Sequence, residues 1–457
     1  MLSLPRKEVL DSVLREMAQI FWRRHLYRTN IFSGTTRWEE VALAVRALRQ
    51  GPEGWFDGPW TREFETRFAQ AINLADSVSF ATGRMALFAI LKALDLKPGD
   101  AVIIPAFTCV VVANAILYAG ARPVYAEIEP ETYSIDPDKL ESALTTRTKA
   151  ILAQHTFGIS CRLGELLAWA DKRGIPLIED CAHALGGTYQ GAPLGSIGTA
   201  SFFSLDHTKI ISTASGGMAA SKDAGILHKV RAVQEAAPYV SREHMQKILQ
   251  GYILQHILGH PRLYFWGKMP MALAVRAGWA KWFANYLDTA PPRDYPFPAR
   301  LPAVLCRLGL SQLDHLPENI ATRTNMAWRF ENILGANRRV LEDANSRAAW
   351  LRYPFLLHNR AEFLKRIEKY HDLGIWFTSI TQCRNERLEE VGYFPGTCPR
   401  AEGIVHNIVS LPTHPRMIGL ELLASHLKKM RPMGDRLFYY AADSGAKSGV
   451  EPVAAFP

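Results

Sequence analysis

The chain has 457 residues, 48% of them hydrophobic and 21% charged, a composition that excludes disorder along its whole length and leaves room for two cores. Six cysteines, Cys109, Cys161, Cys181, Cys306, Cys383 and Cys398, stand far apart without a Cys-x-x-Cys pair, so neither a zinc ribbon nor a disulfide framework is indicated and a reducing cytoplasm fits. The formal net charge of +9 favours anionic partners, a class that includes phosphate-bearing metabolites, nucleic acid and anionic lipid alike.

Residues 1–24 read as a polar, interrupted helix rather than a secretion leader. From residue 76 to about 220, apolar β-branched runs alternate with helical patterns, the signature of βαβ units around a parallel sheet. Strands are expected at 101–104, 122–126, 149–153 and 175–178, and helices at 110–119, 136–144 and 163–172, so helices should cover both faces of the sheet. Between His244 and Leu287 the sequence has no acidic residue, while Lys247, Arg262, Lys268, Arg276 and Lys281 sit among Trp266, Trp279 and Trp282. This segment is expected to be helical, interrupted at Pro261 and Pro270, and too evenly charged to cross a membrane. Its aromatic and basic residues, with Phe21-Trp-Arg-Arg-His25, suit either a peripheral anionic-membrane contact or an enlarged subunit interface.

A Pro-rich run, 291–298, ends the segment. Helix is expected to resume over 302–334 and lead into a small α/β unit holding a strand at 351–357, a helix at 361–373 and Gly374-Ile-Trp-Phe377. The expected division is 1–34 as a helical segment, 35–300 as the large domain, 301–440 as a linking helix and small domain, and 441–457 as a disordered tail.

Three segments carry chemistry. Phe80-Ala-Thr-Gly-Arg-Met-Ala-Leu87 is a small-residue turn opening an apolar helix, which offers backbone N–H groups to a phosphate, although a plain tight turn would look the same. Leu177-Ile-Glu-Asp-Cys-Ala-His183 delivers Asp180 at the C-terminal end of a buried strand, where open α/β sheets place ligands. A helix N-cap is the other reading of Asp180. In Ser204-Leu-Asp-His-Thr-Lys209, one lysine follows a hydrophobic strand and precedes Gly216-Gly217; held among apolar groups, such an amine has a lowered pKa and can condense with an aldehyde.

In that order these segments resemble the DegT/DnrJ/EryC1/StrS family of sugar aminotransferases. Gly58-Pro-Trp-Thr-Arg-Glu-Phe-Glu65, the stretch from Pro105 to Val124, Ile178-Glu-Asp-Cys-Ala-His-Ala-Leu-Gly186, Arg300 to Leu313 and Ser410-Leu-Pro-Thr-His-Pro415 extend the resemblance over about residues 35–435. It implies the fold of type I pyridoxal-phosphate transferases, an α/β architecture with a large, mainly parallel sheet flanked by helices and a small C-terminal α/β domain. It also implies pyridoxal 5'-phosphate as cofactor, carried by Lys209 as a Schiff base, with Asp180 on the pyridinium nitrogen and His183 against the ring. A core histidine is the alternative for His183. Thr82, Gly83, Arg84 and Ser204 would hold the phosphate, Gly83 and Arg84 through backbone N–H groups.

Two positions depart from the family pattern. Cys109 stands where a ring-stacking aromatic is usual, which leaves Phe107 as a candidate for that contact, and Pro298 stands where an Asn usually reaches the partner subunit's phosphate. The retained Lys209 argues against the family's dehydratase branch. The implied function is a homodimeric aminotransferase moving an amino group from an amino acid, with glutamate the expected donor, to a keto-sugar joined to a nucleotide, without nucleic acid or metal. A lipid-linked or membrane-proximal carbonyl acceptor, and a non-catalytic binding relative, are the alternatives.

Overall fold

The computed structural model describes residues 29–30, 34–280, 288–335, 345–357, 360–367, 371–373 and 376–430. The expected N-terminal helix, Phe21 to His25, Lys281, Trp282 and the 441–457 tail lie outside the described residues.

Two helices, α1 (Trp38–Gln50) and α2 (Trp60–Ala71), lead into the sheet. Its units are β1 (Ser77–Phe80), α3 (Gly83–Ala93), β2 (Ala101–Pro105), α4 (Val110–Tyr118), β3 (Arg122–Ala126), β4 (Thr148–Gln154), α5 (Leu163–Asp171), β5 (Leu177–Asp180), β6 (Ala200–Ser204) and β7 (Gly217–Ser221). The strand order is β1-β7-β6-β5-β4-β2-β3. β7 runs antiparallel to both neighbours, β1 and β6, and the other adjacent pairs are parallel. Strands buried on both faces lose the in-out alternation, which is why Ala101 to Ile104 and Ala150 to Ala153 are apolar at every position and fully enclosed.

The expected strand at 175–178 begins instead at Leu177 and continues to Asp180, because Pro176 has no N–H for the ladder. The expected helix at 136–144 is a 3-10 turn, Pro137–Lys139, followed by one turn of helix, Leu140–Ala143.

The chain then forms α6 (Ala224–Ala236), α7 (Arg242–Leu258) and α8 (Tyr264–Arg276). Pro261 falls in the break between α7 and α8, but Pro270 lies inside α8 without ending it, so that interruption does not occur. α7 buries Ile248, Leu249 and Tyr252, and its His256 packs edge-on to Trp38 with ring centroids 4.5 Å apart. α8 leaves Trp266 and Leu273 more than half exposed. No helix among the described residues is long and apolar enough to cross a membrane.

The helix expected over 302–334 is two, α9 (Ala303–Asp314) and α10 (Leu316–Leu334), since Pro317 is tolerated in a first turn but not in a helix interior. β8 (Arg352–Leu356), α11 (Arg360–Ile367), a helix over Pro399–Asn407, β9 (Ile408–Pro412) and α12 (Leu420–Met430) follow. Of the helix expected over 361–373, Arg360–Ile367 is described as helix, and His371–Asp372 is extended. α10, α12 and the antiparallel β8–β9 pair enclose a second core around Phe330, Trp350, Tyr353 and Leu423.

Candidate active site

The turn after β1 is pressed onto two strands. A methyl group on Gly83 would lie 3.0 Å from the Ser204 Cβ and 3.1 Å from the Phe203 carbonyl oxygen, and one on Gly217 would lie 2.4 Å from the Thr82 backbone. Thr82 caps α3, its Oγ1 accepting from the Met85 N–H at 3.2 Å. The first-turn N–H groups of a helix have no acceptor within it, and here that turn opens on a cavity. The Arg84 guanidinium is held away from the turn: its Nη2 donates to the Tyr295 hydroxyl at 2.6 Å, with the Phe297 ring 5.6 Å away.

Asp180 ends β5 at the cavity. Its Oδ1 accepts from the Ala182 N–H at 2.9 Å, closing a turn rather than capping a helix. Burial pushes its pKa up to about 6. The adjacent Glu179 points the other way, accepting from the N–H groups of Gly195, Ile197 and Gly198 and lying 3.1 Å from the His155 Nε2. His155 in turn donates its backbone N–H to the Asp180 carbonyl, so a saturated polar cluster fixes the strand end from behind.

Lys209 follows β6, its backbone N–H donating to the Asp206 carbonyl at 3.0 Å. Burial lowers its pKa, and the charges of Asp206, Cys109 and Asp180 oppose that shift only in part. His183 accepts a hydrogen bond from the Phe157 N–H on Nδ1 at 3.2 Å, which assigns its proton to Nε2. Burial, with the positive charges of Lys209 and Arg352, drives its pKa well below the usual imidazole value, so it is neutral.

Thr82, Gly83, Arg84, Cys109, Asp180, His183, Ser204 and Lys209, scattered over 128 positions from 82 to 209, all line one cavity of about 260 Å³. Sequence reasoning missed the residues that close it from elsewhere: Gln154, Trp376, Phe377, Gln382 and Cys383. Thr108 and Cys109 pair in parallel with Thr381 and Gln382, and the Cys383 thiol hydrogen-bonds the Cys109 sulfur, lowering the Cys109 pKa. Gln154 ties the same loop down, donating to the Phe107 carbonyl at 2.8 Å and accepting from the Thr108 hydroxyl at 2.6 Å.

Phe107 does not take the ring-stacking place. It is fully buried and stacks on Phe377 at 3.8 Å, behind the cavity wall. The aromatic beside the chemistry is Trp376, whose ring centroid lies 5.4 Å from the Lys209 Nζ and 4.9 Å from the His183 ring. Nothing around Gly374-Ile-Trp-Phe377 in the sequence points to that role, because the contact is made by the fold. Pro298 follows Phe297, which packs on Phe88 and Tyr118 near Arg84.

A lysine, an aspartate and a histidine thus come together at the strand ends, beneath a glycine-backed helix start. The DegT/DnrJ/EryC1/StrS aminotransferase family profile matches residues 37–259 and 272–422. The chain belongs to that family. It is 30% identical over 395 residues, 83% of this chain and 90% of the other, to the spore coat polysaccharide biosynthesis protein SpsC of Bacillus subtilis. It is 38% identical over 174 residues to the GDP-perosamine synthase of Caulobacter vibrioides, a match spanning 38% of this chain and 47% of that protein. The aminotransferase of Psychrobacter cryohalolentis shares the fold, with a TM-score of 0.68 at 22% identity over 89% of this chain and 98% of that one. This aminotransferase is thus an enzyme of a family fixed by sequence over most of its length.

Proposed function

We propose that the protein is a pyridoxal-phosphate-dependent aminotransferase that moves an amino group from an amino acid to a nucleotide-linked keto-sugar. The observation that carries the reading is the meeting of Lys209, Asp180 and the Thr82–Gly83 turn on one cavity. The names of the relatives, one a GDP-sugar enzyme and one a polysaccharide biosynthesis protein, support the acceptor class.

The residues fit the cofactor. The turn at Thr82 and Gly83, with Ser204 beneath it, is an anion cradle that a Cβ on Gly83 would crowd. Asp180 is a buried carboxylate with a raised pKa, which is what a protonated ring nitrogen would relieve. When bound, pyridoxal phosphate supplies an aldehyde that condenses with amines and a pyridinium that withdraws electrons from the carbon losing a proton.

The side chains do the rest. Lys209, buried with a lowered pKa, would hold the cofactor through Nζ, and its amine when free would take up and give back a proton at the donor carbon. Asp180 would hold a proton on the cofactor's ring nitrogen by offering a carboxylate that is otherwise costly to bury. Neutral His183 and the Trp376 ring form a wall that holds the ring plane without adding charge. The same fold is proposed to work as a homodimer, with the large and small domains meeting at about residue 300.

Borohydride reduction of the purified protein followed by peptide mapping tests the reading. A pyridoxyl label on Lys209, absent in Lys209→Ala, is expected together with loss of turnover. A label on another lysine, or a colourless protein that stays so with added pyridoxal phosphate, overturns it.

A further inference from the structure

Behind the cavity wall stands a cation without a counter-ion among the described residues. Arg352 opens β8 in the small domain, is 2% exposed, and its Nη2 has no hydrogen-bond partner among the described residues. No carboxylate among the described residues lies within ion-pair distance of it. Its neighbour Arg323 is buried too but hydrogen-bonded, Nε donating to the Asn319 side chain and Nη1 to the Leu351 carbonyl and the Thr413 hydroxyl. Two guanidinium groups thus share one apolar region, and the closer to the reaction centre is the one left unsatisfied. Burial and Arg323 push the Arg352 pKa well down, and its charge reaches far enough to depress both His183 and Lys209.

A buried, unpaired guanidinium is costly, and the cost is relieved when an anion pairs with it. Whatever the donor's side chain, three anions are common to the proposed reaction: the cofactor phosphate, the diphosphate of the acceptor and the α-carboxylate of the amino donor. The cofactor phosphate has its own cradle at Thr82, Gly83 and Ser204. Choice between the other two follows from bond counting. One indole ring, Trp376, carries Arg352 3.5 Å from its centroid and the Lys209 Nζ 5.4 Å from it. The donor carbon that gives up its proton must come to Lys209, and the α-carboxylate is attached to that same carbon, whereas the diphosphate of a nucleotide-linked sugar is removed from its reacting carbonyl by several bonds. A planar carboxylate also matches the two-donor edge of a guanidinium.

We propose that Arg352 binds the α-carboxylate of the amino-acid donor, which reaches it past the edge of the Trp376 ring that separates Arg352 from the cavity. The assignment rests on the amino-transfer reading at Lys209. It makes Arg352 a specificity-determining residue for one half of the reaction only.

The wild-type holoenzyme gives the first test, with L-glutamine, L-glutamate and isoglutamine, whose α-carboxylate is an amide, offered separately as donors. Loss of the cofactor's visible band on donor addition reports the first half-reaction. Isoglutamine is expected to be inert where one of the other two reacts; equal reaction with isoglutamine overturns the proposal. If no amino acid changes the band, amino transfer itself fails, and the assignment falls with it. The second test is Arg352→Gln and Arg352→Lys with a GDP-linked keto-sugar as acceptor. Arg352→Gln is expected to raise the KM for the donor about tenfold or more, leaving acceptor KM and bound cofactor within about twofold, with partial recovery in Arg352→Lys. A change in acceptor KM or in cofactor content instead, with donor KM unmoved, overturns it.

Discussion

Gly217 passes so close to Thr82 that a methyl group on it would sit 2.4 Å from the Thr82 carbonyl carbon. The antiparallel strand β7 therefore supports the proposed phosphate turn directly, backbone against backbone. Neither partner can yield as a flexible side chain would.

Gly217→Ala is accordingly expected to shift the turn and loosen the cofactor while leaving the sheet intact. Overpacking of this kind costs ~1–3 kcal/mol, which corresponds to a roughly five- to 150-fold weaker hold on pyridoxal phosphate. Gly403→Ala is the control, since a methyl group there meets nothing within 4 Å. Cofactor absorbance remaining after dialysis separates them, and equal retention in the two variants would show that β7 does not shape the cradle.

Asp180→Asn is expected to keep the cofactor yet lose about a hundredfold in rate, because an amide can accept a hydrogen bond but cannot hold a proton on the ring nitrogen. Its effect on the cofactor-free protein has the opposite sign. Burial raises the folded-state pKa to about 6 from an ordinary value of 3.8. That contribution is fully present below about pH 4 and is lost as the pH rises through 6, where the carboxylate must ionise in a buried place. At about pH 8 the cofactor-free wild type should be less stable than Asp180→Asn by up to ~3 kcal/mol, and the gap should close near pH 4. Urea midpoints across that range check the sign.

The fold was legible where the sequence repeats a physical pattern. Apolar runs at 101–104, 122–126 and 149–153 read as strands, and they are; 101–104 is enclosed on both faces, whereas the edge strand β3 leaves Arg122 exposed. Elements governed by proline were read less well. Pro176 delays β5, Pro317 splits the long helix into α9 and α10, and Pro270 is absorbed inside α8. Each outcome depends on where the missing N–H falls relative to a ladder or a helix start. At the site, Lys209, Asp180 and the Gly83 turn lie near strand ends and carry local signals. Trp376, Gln154 and Arg352 carry none, because an indole in the small domain or a glutamine inside β4 looks like core until the chain brings it to Lys209.

Trp376 is expected to be the aromatic platform that Cys109 cannot provide. Trp376→Ala should lower turnover roughly tenfold, in line with the ~1–3 kcal/mol scale of aromatic stacking on a base, while the pyridoxyl label stays on Lys209. Phe107→Leu, which changes a side chain behind the wall, should alter thermal stability more than turnover. A pair of variants with those two effects exchanged would return the stacking role to Phe107.

On α8, Trp266 is 54% and Leu273 60% exposed, with Trp279 just beyond the helix at 68%. α7 already has its partner in the body of the protein, through Tyr252, Leu249 and the His256–Trp38 contact, so the apolar surface of the acid-free segment is concentrated on α8 and the residues after it. Arg262 and Arg276 flank these side chains and are exposed. Large apolar groups between basic ones are the pattern of a helix lying in a membrane interface, whereas the apolar core of a subunit interface is depleted of charge. The native protein is therefore expected to sediment with vesicles containing phosphatidylserine but not with neutral ones, and the binding should weaken as salt rises. Leu273→Glu combined with Trp279→Glu should abolish sedimentation and leave the elution volume on size exclusion unchanged. If the double variant instead elutes as a smaller species, the exposed face belongs to the second subunit, and the membrane contact is refuted.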